Sequence, residues 1–181
     1  MQPQLPIINE TNMRIILAGL RGSGKSTVGK VLSEKLRLEF IDLDDFIENK
    51  ASKKIPEIVH ESGWGTFREL ERKACAEMNK KNNTVISTGG GTICFFDNAT
   101  TLRGDKGVII LLQAEIGTLL SRLEQSYTRP LLSESTMEED LKRSWKEREP
   151  IFKKKCDLII QVDNKTAEEV AEEIVKKWRK E

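Results

Sequence analysis

Residues 19–27 have the composition and spacing of a loop that binds phosphate groups. They read Gly-Leu-Arg-Gly-Ser-Gly-Lys-Ser-Thr and match the pattern GxxxxGK[ST], directly after a short apolar run and before a predicted amphipathic helix. Glycines allow the backbone amides to turn toward phosphate oxygens, and the start of the helix adds partial positive charge. The alternative is a glycine-rich turn that binds nothing, which would not require the flanking strand and helix. We therefore predict that the loop binds the phosphates of a nucleotide.

The polar residues of this loop have distinct expected contacts. Lys25 is expected to reach the β- and γ-phosphates, and the Ser26 hydroxyl is expected to ligate Mg²⁺. The predicted nucleotide is ATP, because the guanine-reading pattern Asn-Lys-x-Asp of GTPases is missing and residues 164–167 read Asn-Lys-Thr-Ala. The predicted nucleotide-binding residues of the loop are Gly22, Ser23, Gly24, Lys25, Ser26 and Thr27.

Three carboxylates follow the second apolar run, where the sequence reads Phe-Ile-Asp-Leu-Asp-Asp from residue 40. Ligands of open α/β sheets bind beyond the carboxyl ends of the strands, and alternation along the chain directs Asp42 and Asp44 the same way while Leu43 enters the core. Phosphoryl transfer requires a carboxylate near magnesium and one near the acceptor hydroxyl. The alternative is an N-cap, because Asp is favoured where a helix begins. We predict that Asp42 and Asp44 are functional and that Asp45 is the N-cap.

A triple glycine, residues 89–91, ends the strand predicted at 84–88. It could be only a tight turn, but close approach of the backbone to a ligand is at least as good an interpretation at this edge of the sheet. We expect the amides of Gly89, Gly90 and Gly91 to bind an anionic group of the acceptor. Because this strand lacks a terminal Asp, Asp42 is favoured as the carboxylate on the magnesium side.

Two arginines are candidates for binding an anionic acceptor. Leu141, Trp145, Arg148 and Phe152 lie at i, i+4, i+7 and i+11, which places a guanidinium on an apolar helix face. A charge there needs an anionic partner, which could also be a structural Glu, and Pro150 could change the face. Arg68 is predicted to begin a helix beside a glycine-containing turn, where an ordinary surface arginine is the alternative.

Short β-branched runs alternate with amphipathic stretches along the chain, which predicts a parallel sheet covered by helices on both faces. Buried helix faces are clearest for residues 28–36 and 67–78. Residues 124–136, polar with a central Pro, are expected to form a long mobile loop, and residues 1–12 a disordered leader. The predicted strands lie near residues 14–19, 38–42, 84–88, 107–112 and 157–161.

Composition excludes several classes of function. The 181 residues fit one domain, and 30 basic against 29 acidic residues leave no excess charge for binding nucleic acid. No apolar run is long enough to span a bilayer and the N-terminus lacks a signal pattern, so we expect a cytoplasmic protein with no membrane partner. Cys75, Cys94 and Cys156 form no CxxC pair and only one His is present, which favours buried free thiols over a metal site.

Taken in order, these motifs resemble shikimate kinase over residues 13–179. The resemblance rests on residues 19–27, Asp42-Leu43-Asp44, the stretch Phe-Arg-Glu-Leu-Glu at 67–71, the glycines 89–91, Arg-Pro-Leu-Leu at 129–132, and Arg148. It implies a three-layer α/β/α P-loop fold with a five-stranded parallel sheet that acts on a small molecule. We expect a monomer, although nothing in the sequence itself reveals the oligomeric state. The implied reaction transfers the ATP γ-phosphate to the 3-hydroxyl of shikimate, with Mg²⁺ as the metal.

The resemblance also implies roles for individual residues. The positions of Asp44, Arg68, Gly90, Gly91 and Arg148 hold shikimate, with the arginines on its carboxylate because a planar guanidinium pairs with it in bidentate fashion. The positions of Lys25, Ser26 and Asp42 bind the phosphates and magnesium. Arg129 is on a lid that closes over the reacting groups, Arg122 stacks on adenine, and Lys165 is in a second adenine-side loop. Little is implied for Arg21.

Two other functions share parts of this pattern. A related small-molecule kinase such as gluconate kinase shares the phosphate-binding loop but not the arginines expected for a cyclic carboxylate. A regulatory module that binds ATP without chemistry is disfavoured, because Lys25, Ser26, Asp42, Asp44 and Arg129 are all present.

Overall fold

A computed structural model describes residues 13–125 and 136–178 of the protein. Five parallel strands form one sheet, as predicted. Each begins and ends within one residue of its predicted position. The strands are β1 Arg14–Ala18, β2 Glu39–Asp42, β3 Thr84–Ser87, β4 Gly107–Gln113 and β5 Leu158–Gln161.

Helices connect the strands and cover both faces of the sheet. They are α1 Lys25–Leu36, α2 Leu43–Ala51, α3 Ile55–Met78, α4 Asn98–Arg103, α5 Ile116–Gln125, α6 Met137–Lys155 and α7 Ala167–Trp178, with a 3₁₀ turn at Thr92–Cys94. Among the described residues, none of these helices is both long and apolar enough to cross a membrane.

The strand order β2-β3-β1-β4-β5 brings the candidate motifs to one edge of the sheet. β1 lies at the centre, paired with β3 on one side and β4 on the other. The phosphate-binding loop follows β1, the triple glycine follows β3 and Asp42 ends β2. Because parallel strands end at the same edge, three adjacent strands deliver all three motifs to one place.

Alternation along the central strands divides the core between the two faces of the sheet. Ile15 and Leu17 of β1 pack with α1 and α7, whereas Ile16 and Ala18 pack with α2, α3, α4 and α6. All four side chains are buried, as expected for a central strand covered on both faces. The described cysteines are free thiols, with Cys75 buried and the other two half-buried.

Two expectations about segment boundaries need correction. Arg68 does not begin a helix, because α3 starts at Ile55 and contains a kink at Gly63, whose φ of 77° only glycine adopts readily. The loop predicted at 124–136 is shorter at both ends, since Glu124 belongs to α5 and Thr136 caps α6. Its remaining residues, 126–135, and the predicted leader, 1–12, lie outside the described part of the chain.

A buried arginine joins the base of the sheet to two helices. Arg14, at the start of β1, donates from Nε to Leu102 O at 2.8 Å and from Nη1 to Asn79 O and Lys81 O at 2.7 Å each. Its Nη2 donates to Asn79 Oδ1 at 2.8 Å and to Arg103 O at 3.3 Å. The side chain of Arg14 therefore supplies hydrogen-bond donors to backbone carbonyls at the C-terminal ends of α3 and α4.

Arg14→Met is expected to destabilise the fold without changing the chemistry. Unpaired buried carbonyls would lower the free energy of unfolding by about 3 kcal/mol, or the melting temperature by about 10 °C. Urea denaturation measures the loss, with Arg72→Met as a control because that exposed arginine pairs with exposed Glu69. Equal stability of the two variants would show that Arg14 does not secure these helix ends.

Candidate active site

Left-handed glycines shape the phosphate-binding loop. Gly22 and Gly24 have φ of 81° and 87°, a region that side chains with a Cβ avoid. Gly24 is also the N-cap of α1, so the loop leads directly into the positive end of the helix. The ammonium of Lys25 is held inside the loop, donating to Leu20 O at 2.8 Å and Ser23 Oγ at 3.4 Å.

The two residues predicted to ligate magnesium, Ser26 and Asp42, lie in hydrogen-bond contact. Ser26 Oγ donates to Asp42 Oδ2 at 2.6 Å, and Ser87 Oγ, at the end of β3, lies 3.2 Å from Ser26 Oγ. Mg²⁺ usually takes one or two protein oxygens and completes its shell with phosphate oxygens and water. A hydroxyl and a carboxylate beside the phosphate-binding loop fit that requirement. In the described part of the chain, no group of three His, Cys, Asp or Glu side chains could hold a metal ion.

The N-cap of α2 is Asp42, so its assignment to Asp45 was wrong. Asp42 Oδ1 accepts from the amides of Asp44 and Asp45 at 3.0 and 3.4 Å. Because α2 begins at Leu43, directly after the strand, the last strand residue is the one positioned to cap. The cap leaves Oδ2 for Ser26, so capping fixes the orientation of the predicted magnesium ligand.

Asp44 lies in the first turn of α2 and lines a large cavity next to the phosphate-binding loop. Its Oδ1 is buried against Gly89, where any larger residue would collide with it, because a Cβ on that glycine would lie 2.9 Å from Oδ1. Leu43 is fully buried, as expected. Asp42 and Asp44 therefore lie in different surroundings, since Asp42 contacts Ser26 whereas Asp44 lines the cavity.

The cavity has a volume of about 560 Å³ and a largely apolar wall. It brings together Asp44, Arg68, Arg148 and the three glycines, all predicted as acceptor-binding residues. The glycines pass along its wall: Gly89 lies against Asp44 and Gly91 against Arg148, with an added Cβ 3.2 Å from Arg148 Cζ. The backbone of these three glycines therefore runs along the cavity wall from Asp44 to Arg148.

Arg68 is held in the cavity wall by a buried carboxylate. Its Nη1 donates to Glu71 Oε2 at 2.7 Å, and Glu71, 1% exposed, accepts from Thr92 Oγ1 at 2.7 Å through its other oxygen. The guanidinium carbon lies 3.9 Å from the ring centroid of Phe95, with Trp64 also in cation–π range. These contacts fix the orientation of the guanidinium.

Sequence reasoning gave Glu71 no role, although a signal was available. Phe67, Glu71, Ala74 and Met78 lie at i, i+4, i+7 and i+11, the same spacing that identified Arg148 as a charge on an apolar face. Arg68 lies three residues earlier, within reach for an ion pair on a helix. The missed residue positions the predicted acceptor-binding arginine.

Arg148 lies on the apolar face of α6, as its spacing predicted. α6 continues through Pro150 to Lys155, and Leu141 and Phe152 are each 1% exposed. Nη1 of Arg148 donates to Gly90 O at 3.1 Å, and burial lowers the pKa of the guanidinium from its ordinary value. No described carboxylate forms an ion pair with Arg148, so the alternative of a structural Glu partner finds no support.

The two residues predicted on the adenine side both bond to the backbone at the end of β5. Arg122 donates to Val162 O at 3.2 Å and to Gly22 O at 3.5 Å, which links α5 to the phosphate-binding loop. Lys165 Nζ donates to Gln161 O at 2.8 Å and pairs with Glu173 at 2.6 Å. Their contacts with adenine stay predictions. Arg129 lies outside the described residues.

Fold and site together define the class of the protein. A central parallel sheet presents a phosphate-binding loop and a magnesium-type donor pair, and a separate cavity beside them carries a carboxylate and two arginines. This is the arrangement of a small-molecule kinase with a P-loop.

Comparison with known proteins gives the family. A family model described as shikimate kinase matches residues 21–179. Shikimate kinases from Thermodesulfovibrio yellowstonii and Caldanaerobacter subterraneus are 37% and 39% identical over 166 residues, 92% of this chain and 95% and 96% of theirs. The structure of "Shikimate kinase from Acinetobacter baumannii in complex with shikimate" has a TM-score of 0.89 and 32% identity, covering 94% of this chain and 95% of that one. The chain belongs to the shikimate kinase family.

Proposed function

We propose that this protein transfers the γ-phosphate of ATP to the 3-hydroxyl of shikimate, giving shikimate 3-phosphate and ADP in the route to chorismate and the aromatic amino acids. The observation that carries the proposal is the cavity in which a glycine tract leads from Asp44 to Arg148. A hydroxylated ring with a carboxylate matches this wall, because its hydroxyls can face the aspartate while its carboxylate faces the arginines.

Each residue has a defined part in the transfer. Asp44 orients the acceptor hydroxyl and takes its proton as the oxygen bonds to the γ-phosphorus and the bond to the β-phosphate oxygen breaks. Lys25 and the amides of residues 22–26 neutralise the phosphate charge. Ser26 and Asp42 would hold Mg²⁺, which would supply positive charge to offset the negative charge on the phosphates. Arg129 stays a prediction for the closing lid.

A coupled assay of ADP release tests the proposal. With ATP and Mg²⁺, shikimate is expected to support turnover, whereas gluconate, the acceptor of the alternative kinase, is not. Mass spectrometry of the product locates the new phosphate on the acceptor. Binding of ATP with no turnover of shikimate would instead support the non-catalytic module.

Lysine replacements at the two acceptor-binding arginines test recognition of the carboxylate. Arg68→Lys and Arg148→Lys keep the charge but remove the planar fork, so shikimate binding is expected to weaken by about 1.5–3 kcal/mol while ATP affinity changes little. Calorimetric titration with each ligand separately measures both. Arg72→Lys, on the same helix as Arg68 but outside the cavity lining, is the matched control.

Normal shikimate binding in both cavity variants would place the carboxylate elsewhere. Loss of stability in Arg68→Lys would show that its pair with buried Glu71 supports the fold, and a melting curve measures this separately from binding.

We also propose that the protein acts as a monomer in the cytoplasm. One chain supplies the phosphate-binding loop, the magnesium donors and the cavity wall, ATP is a cytoplasmic metabolite, and the described cysteines are free thiols. Light scattering after size exclusion measures the mass in solution.

A further inference from the structure

We propose that Arg21 is a third anion-binding residue of the acceptor cavity, acting with Arg68 and Arg148 on the acceptor's carboxylate. The inference rests on the proposed function, because it concerns how the same cavity holds shikimate. Residue 21 is one of the positions that the pattern GxxxxGK[ST] leaves free, so phosphate binding does not demand an arginine there.

Arg21 is a cavity-lining arginine with a buried guanidinium nitrogen that has no hydrogen-bond partner among the described residues. Arg21 lines the cavity wall, and its Nη2 is buried without a hydrogen bond to any residue in the described part of the chain. The other two arginines differ, since Arg68 pairs with Glu71 and Arg148 donates to Gly90 O. A buried guanidinium nitrogen left unpaired is unfavourable, so an anionic ligand oxygen would stabilise it.

The backbone places Arg21 beside the acceptor end of the glycine tract. A Cβ on Gly90 would lie 3.2 Å from Arg21 N, and Gly90 O accepts from Arg148. The next residue, Gly22, has the opposite environment, because a Cβ there would meet Leu119 O of α5 at 3.0 Å. The loop thus presents residue 21 to the acceptor cavity and residue 22 to the helix on the other side.

The charges of the described cavity residues support this assignment. The described lining residues include three arginines and two carboxylates, and the sum of these five charges is one positive charge. Arg68 and Arg148 alone would be balanced by Asp44 and Glu71. The charge of Arg21 is therefore the one that a monoanionic acceptor such as shikimate neutralises.

Arg21→Met tests the proposal by removing the charge while keeping an apolar stem. The dissociation constant for shikimate is expected to rise about tenfold, with that for ATP unchanged, because a charged hydrogen bond of this kind is lost. The methyl ester of shikimate, which lacks the anion, is expected to bind wild type and variant equally. Arg21→Lys should recover part of the affinity for shikimate.

Controls separate this role from others. Arg72→Met removes the same charge from an exposed position outside the cavity lining and is expected to leave shikimate binding unchanged. Unchanged shikimate affinity in Arg21→Met, or equal weakening for acid and ester, would overturn the proposal. A loss confined to kcat with both acceptors would also overturn it, since Arg21 would then act on the transferring phosphoryl group. Failure of the wild type to turn over shikimate would overturn the proposed function instead.

Discussion

Asp44→Asn is expected to lower kcat by roughly 10²–10⁴-fold, the usual contribution of a positioned acid–base group, while ATP affinity changes little. The amide keeps the shape of the side chain but cannot take the proton of the acceptor hydroxyl. The buried position of Oδ1 beside Gly89 leaves little freedom for another group to replace it. Steady-state kinetics with both substrates varied, together with ATP titration, measure the two effects separately.

Asp45→Asn provides the matched control for this variant. Asp45 is exposed in the same turn of α2 and lies outside the cavity lining, so its amide variant is expected to keep normal kcat. If Asp44→Asn kept wild-type kcat and lost only nucleotide affinity, Asp44 would belong to the metal site.

Lys25→Ala is expected to lower kcat by on the order of 100-fold or more, because charge stabilisation at the transferring phosphoryl group is lost. The structure adds a second consequence, since the ammonium also donates to Leu20 O and its removal releases that contact within the loop. The core lies elsewhere, so the protein should remain folded, and circular dichroism with a thermal melt verifies this. Rates come from the same coupled assay.

Lys30→Ala is the comparison for the lysine variant. Lys30 is exposed on α1, beyond the loop, and its replacement is expected to leave kcat within about twofold of wild type. Unimpaired turnover in Lys25→Ala would remove the phosphate-binding loop from the mechanism. A large loss of thermal stability would instead identify the lysine as a structural residue of the loop.

Patterns that depend on local spacing predicted most of the fold. Residues 15–18 of β1 and 108–112 of β4 are continuous apolar runs because both faces of an interior parallel strand are covered, and such runs are visible in a sequence. The phosphate-binding loop is equally local. Its glycines, lysine and serine lie within one short stretch, and their spacing alone specifies the turn into α1.

Features that depend on contacts between distant segments were harder to predict. Spacing identified Arg148 as a charge on an apolar face, but only the structure shows its bond to Gly90, 58 residues away. The ion pair between Arg68 and Glu71 joins residues close in sequence. Thr92, which donates to the other carboxylate oxygen of Glu71, is distant in sequence and could not be predicted from local spacing. The N-cap was misassigned because composition shows three candidate aspartates and only the end of β2 decides among them.

The position of Arg21 has a consequence for how this enzyme can evolve. Its φ is not in the left-handed region and the pattern leaves its side chain free, so substitutions there need not disturb the amides that hold phosphate. A single codon can thereby alter the charge of the acceptor cavity while the phosphate-binding glycines stay in place. Under the role proposed for Arg21, selection can adjust affinity for the acceptor and the rate of phosphoryl transfer as two separate traits.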